Sequence, residues 1–160
     1  MESHGDDLYR RSLYTYWKRI QPPPSMMIFD AGSRNICTVK RQTTNTPLQS
    51  LVLLNDPQFV EASRALAYRM KEKGGSDPER CIEYGFRLAT SRRPDKEEMD
   101  ILKGLYENEL IEFEQNPENA AKFLEVGAFD HPLQMPIPEL AAYGVVANTL
   151  LNLSESIQKN

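Results

Sequence analysis

The chain has 160 residues, 40% of them hydrophobic and 26% charged, and 19 Lys+Arg against 23 Asp+Glu give a net charge of −4. That size and composition fit one globular domain and exclude an intrinsically disordered chain, and the negative charge argues against a dedicated nucleic-acid binder. No window approaches the ~18 apolar residues of a membrane span, and the N-terminus carries no apolar signal-peptide core.

In chain order, Tyr9, Leu13, Tyr16, Trp17 and Ile20 predict an amphipathic helix over 7–20, with Arg10, Arg11, Lys18 and Arg19 off the stripe. Tyr14, Tyr16 and Trp17 among these cations also resemble a base-stacking patch, a weak signal because an amphipathic helix with aromatic core residues looks the same. Residues 21–46 then form a long irregular loop. It opens on the stiff run Pro22-Pro23-Pro24, carries the apolar Met26, Met27, Ile28 and Phe29, and continues through Asp30, Arg34, Cys37, Lys40, Arg41 and Asn45. Two readings compete. In the favoured one the loop is draped over a bundle, anchored by Phe29, with Asp30 paired to an arginine. In the other it is a lip over a binding site.

From Pro47 the prolines punctuate helices. Pro47, Pro57, Pro78, Pro94, Pro117 and Pro138 each stand at or beside the start of a helical pattern, where the missing N–H costs nothing. Thr46, Asp56, Asp77 and Asn116 are placed to cap, and Asp95 with Glu98 forms a D-x-x-E capping box. Stripes follow: Phe59, Ala62, Leu66 and Met70, ended by Gly74-Gly75; then Ile82, Gly85, Phe86 and Ala89; then Met99, Leu102, Tyr106, Leu110 and Phe113, with Glu97, Lys103, Glu107 and Glu114 on the opposite face. Residues 138–153 are apolar nearly all round, as a central helix must be. Asn35–Val39 is the only short strand candidate. These elements predict an all-α fold: an irregular bundle of about six or seven helices, a single domain over 1–160 with its helical bundle at 47–153 and no significant sheet.

Chemistry is sparse. His4 and His131 are the only histidines, without the cysteine or carboxylate spacing of a metal site, and no nucleophile elbow, phosphate loop or dinucleotide fingerprint occurs. Cys37 and Cys81 form no C-x-x-C pair; buried free thiols are the simplest expectation, and spacing leaves a disulfide open. Through Asn55 there are seven basic and four acidic residues, +3, and the remainder carries 12 and 19, −7. The two parts could attract one another, or the basic part could face an acidic partner.

The runs YRRSLYTYWKR (9–19), PPPSMMIFDA (22–31) and CTVKRQTTNTPLQSLVLLNDPQFVEASRALA (37–67), with ELAAYGVVANTLLNLSES (139–156) at the end, resemble the C-terminal domain of the large planctomycete-type, cytochrome c-associated (PSD-type) exported proteins, a domain of unknown function. TNTPLQ…LLNDP is the most specific part. The sequence departs from that pattern at Gly32, where proline is usual, at Lys40, where arginine is usual, at Ala141–Gly144 (Ala-Ala-Trp-Thr) and at Ser154 (an acidic residue).

The resemblance implies a C-terminal fragment of an exported bacterial protein, at the periplasm or cell surface, whose partner is an upstream domain of the same polypeptide. A c-type haem would belong to a separate upstream domain, with no cofactor and no metal in this chain. No catalytic residue carries over. The first expectation is therefore a non-catalytic structural or interaction module packing on that upstream domain, with Arg10, Arg11, Trp17, Arg19 and Phe29 in the contact surface. The alternative is that Asp30, Arg34, Arg41 and Asn45 contribute to a ligand, carbohydrate or active site completed by the missing domain.

Overall fold

The computed structural model describes residues 14, 16–18, 22–32, 37, 39–40, 44–129 and 135–157. Among the described residues there are eight helices and no strand: α1 (Pro24–Ile28), α2 (Pro47–Asn55), α3 (Pro57–Gly74), α4 (Pro78–Thr90), α5 (Lys96–Gln115), α6 (Pro117–Leu124), α7 (Ile137–Leu151) and α8 (Ser154–Ile157). The chain divides into two compact units, Met1–Val52 and Leu53–Asn160. The fold is all-α, as the periodicity predicts.

In the larger unit the punctuation works as local chemistry. Pro57 and Pro78 open α3 and α4 behind Asp56 and Asp77, whose carboxylates accept from Gln58 N at 2.9 Å and Glu79 N at 3.0 Å. The box at α5 is complete: Asp95 Oδ1 accepts from Glu98 N at 2.8 Å, and Asp95 N donates to Glu98 Oε2 at 2.9 Å. Helix α3 ends at Gly75, whose φ of +70° lets its N–H reach Lys71 O, with Lys71 and Lys73 favourably placed in the last turn. Asn116 departs from the expected role. It closes α5, its Nδ2 donating back to Glu112 O at 3.3 Å, and makes no side-chain cap for α6.

Helix α7 is the centre of this unit, packing on α3, α4, α5, α6 and α8. It buries Leu140, Ala141, Ala142, Tyr143, Gly144, Val146, Ala147, Asn148 and Leu150, which is why no polar face is legible in its sequence. Small residues let neighbours approach. A Cβ at Gly144 would enter the Phe123 ring, and one at Gly85 on α4 would lie 2.5 Å from Met70 Sδ on α3. Tyr106 and Tyr143 stack with ring centroids 4.4 Å apart, joining α5 to α7. Burial of side chains the size of Phe86, Ile82 and Leu150 is the main stabilising term, each contributing about 1.5–3 kcal/mol relative to exposure.

Several expectations need correction. Tyr16, Trp17 and Lys18 are not helical and Tyr14 lies in a 3-10 turn; the rest of the expected 7–20 helix lies outside the described residues. The 21–46 loop contains α1. The buried face of α3 runs through Val60, Ser63, Leu66, Ala67 and Met70, so Leu66 and Met70 are buried as expected while Phe59 and Ala62 are only half-buried, and it includes two charged residues, Glu61 and Arg64. Both cysteines are free thiols, but only Cys81 is buried; Cys37 is exposed.

Candidate functional site

The smaller unit is built around a glutamine. Thr46-Pro47-Leu48-Gln49 forms a reciprocal capping box at the start of α2: Gln49 N donates to Thr46 Oγ1 at 3.3 Å and Thr46 N donates to Gln49 Oε1 at 3.0 Å. The other end of the same amide reaches further. Gln49 Nε2 donates to Ile28 O at 2.8 Å and to Thr44 Oγ1 at 3.1 Å. One acceptor and both amide donors are thus engaged, which fixes the amide orientation, since the flipped form would set its oxygen against the Ile28 carbonyl. Gln49 is only 1% exposed, and a buried amide is tolerated only when satisfied in this way.

Asp30 completes the arrangement. Ala31 N donates to Met26 O at 2.8 Å and Asp30 N to Met27 O at 3.3 Å, the paired bonds of a Schellman ending for α1. That ending needs a left-handed residue, and Asp30 supplies it at φ +56°. An aspartate there costs about 1 kcal/mol more than glycine. Its carboxylate offsets the cost by accepting from Thr44 N at 2.6 Å and from Thr44 Oγ1 at 2.8 and 3.0 Å. Asp30, Thr44 and Gln49 therefore tie the end of α1 to the start of α2.

The structure brings together only part of the expected binding set. Asp30 is half-buried and held by Thr44; Arg34 and Arg41 of the expected set lie outside the described residues. Asn45 sits between Thr44 and Thr46 with its side chain exposed. Of the expected partner-contact residues, Trp17 and Phe29 are half-buried, and Arg10, Arg11 and Arg19 lie outside the described residues. Thr44 and Gln49 were missed as functional positions. Gln49 carried a signal, because Thr46-x-x-Gln49 is a capping-box pattern as legible as Asp95-x-x-Glu98, whereas that pattern does not include Thr44.

Two polar clusters in the larger unit were also missed. Glu61 and Arg64, one turn apart on α3 and both buried, grip the backbone after α6: Glu61 Oε2 accepts from Ala128 N at 2.9 Å, while Arg64 donates to Val126 O and, at 3.0 Å, to Phe129 O. Gly127, at φ +85°, leaves no room for a Cβ against Glu61. The second cluster is the Cys81 thiol beside the Tyr143 and Tyr106 hydroxyls, with Lys71 ion-paired to Glu139 and its Nζ 5.8 Å from the Tyr143 ring centroid. Burial pushes Cys81, Tyr106 and Tyr143 above their ordinary values, so all three are protonated at neutral pH. A protonated, enclosed thiol is a packing group and a poor nucleophile. Among the described residues no group of three or more His, Cys, Asp or Glu could hold a metal ion, and no helix is long and apolar enough to cross a membrane.

No curated protein and no solved structure gives a significant match to the chain. A family model does, over residues 1–106, covering α1–α4 and much of α5 and including the whole Asp30–Thr44–Gln49 arrangement. The terminal run Glu139–Ser156 lies outside the matched residues. The chain belongs to the PSD1 family, described as a protein of unknown function (DUF1553).

Proposed function

We propose that the chain is a non-catalytic interaction module whose N-terminal unit packs on an upstream domain of a larger exported protein. One observation carries this reading. Among the described residues of Met1–Val52 the only fully buried side chain is Gln49, while Tyr14, Tyr16, Met27, Val39, Leu48 and Leu51 are exposed. Those six exposed side chains add little hydrophobic free energy against the entropy of ordering the segment. A partner covering those side chains supplies what the segment lacks. The basic excess of the same part of the sequence suits a partner surface that is apolar and acidic. Export of the whole protein, and a haem carried by a separate upstream domain, belong to the same proposal and follow from the family resemblance.

The alternative, a ligand site using Asp30, Arg34, Arg41 and Asn45, is less well supported, because both oxygens of Asp30 already accept from Thr44. Binding of the separately expressed upstream domain to this chain distinguishes the two. Leu48→Ser with Met27→Ser, at exposed positions, should weaken that binding by about tenfold or more while leaving the melting temperature unchanged. Full retention of affinity in the double variant would contradict the proposal.

A further inference from the structure

A second surface, independent of the first, lies on α5. The buried side of this helix is set by Leu102, Tyr106 and Phe113. At 100° per residue the opposite side is centred on Gly104, with Ile101, Asn108 and Ile111 around it. Ile101 is 65% exposed and Ile111 is 54% exposed. A Cβ at Gly104 would meet nothing within 4 Å, so no packing inside the chain requires glycine there. Glycine is the poorest helix former after proline, and isoleucine is inferior to leucine or alanine. Three positions of an exposed helix face are therefore filled at a loss of helix stability, with no gain inside the protein.

Charge narrows the occupant. Glu97, Asp100, Glu107 and Glu112 flank the Ile101–Gly104–Ile111 stripe, all exposed, and among the described residues none is held in an ion pair. Of the cations on this helix, Lys103 is paired with Glu79 at 2.7 Å and Lys96 lies back in the first turn. A second copy of the same face would set these carboxylates against one another. We propose that the solvent face of α5 is a docking surface for a basic amphipathic helix of another protein. The isoleucines would contact its apolar stripe, Gly104 would let the two backbones approach closely, and the four carboxylates would meet its lysines or arginines.

The test uses the full chain and a helical peptide made of leucine and lysine, with its leucine–glutamate counterpart as control, by fluorescence anisotropy at physiological salt. The lysine peptide should bind more than about tenfold tighter than the control. Gly104→Gln fills the open space and favours the helix, so it should raise the melting temperature while weakening binding about tenfold; Ile101→Ser with Ile111→Ser should weaken it similarly. Equal binding of both peptides, or lysine-peptide binding that survives both variants, would reduce the contact to diffuse charge attraction or none and overturn the proposal. A dimer in sedimentation equilibrium that the same variants dissociate would also overturn it, by making a second copy the occupant.

Discussion

The side-chain amide of Gln49 donates to the carbonyl of Ile28, 2.8 Å away and twenty-one residues earlier in the chain. That bond closes the segment between α1 and α2, and the same amide caps α2 through Thr46. Within the family-matched residues, Thr44 and Gln49 hydrogen-bond to one another, and Asp30 and the Ile28 carbonyl are among their partners. The arrangement ties the end of α1 to the start of α2.

If so, Gln49→Ala should leave Ile28 O and Thr46 N without their partner and cost about 1–3 kcal/mol for each buried group. Because the cost falls in a segment with little apolar burial, amide exchange over 22–55 should accelerate while exchange in α7 stays unchanged. Gln49→Glu should fail in the same way, because it keeps an acceptor for Thr46 N and loses both donors.

Asp30 separates backbone strain from tethering. Asp30→Gly relieves the left-handed conformation, worth about 1 kcal/mol, and leaves the Thr44 N–H and hydroxyl without the carboxylate they donate to. The balance predicts net destabilisation of the 22–55 segment, read by the same exchange measurement. Stabilisation by Asp30→Gly would show that the carboxylate matters only as a helix ending.

The corner between α4 and α5 titrates. All five N–H groups of Arg92 donate, to Glu98, Glu155 and the Arg93 carbonyl, and its guanidinium lies 4.8 Å from the Phe86 ring centroid. The Arg92 hydrogen bonds, and then the Asp95 N–H, lower the Glu98 carboxyl to about 2. A carboxyl depressed on folding contributes stability that is complete above its unfolded value of about 4.3 and is lost as pH falls toward 2. Glu98→Gln should therefore lower the melting temperature at pH 6 and above and flatten the acid limb between those values, so that the variant and the parent converge near pH 2.

Tyr143 carries a hydroxyl that is fully buried and makes no hydrogen bond of ordinary geometry among the described residues. Tyr143→Phe keeps the ring stacked on Tyr106 and removes that group, so the melting temperature should hold or rise, by about 0–1 kcal/mol in stability. Beside it the Cys81 thiol should resist a thiol reagent until the protein unfolds, while Cys37 reacts at once.

The helices of the larger unit were legible because each carries its own start signal and period. Asp56-Pro57, Asp77-Pro78 and Asp95-x-x-Glu98 act within one turn, and α7 announces its central place by having no polar side. Glu61 and Arg64 were not legible, and of Gln49 only the cap was, not its reach to Ile28. A polar residue in a helical pattern is read as solvent-facing, and what buries these three is a partner far along the chain: Ala128 and Phe129 for α3, Ile28 for α2. Helix α1 was hidden for another reason. None of its five residues is fully buried, and it ends on an aspartate where the expected signal is glycine.

The measurement that tests the central claim most directly is amide exchange over 22–55 in this chain alone and in the longer polypeptide carrying the upstream domain. Covering the exposed apolar side chains should slow exchange there by about tenfold or more, with α7 unchanged in both. Equal exchange in the two forms would mean that no partner surface covers the segment, and the account of it as an interaction module would be wrong.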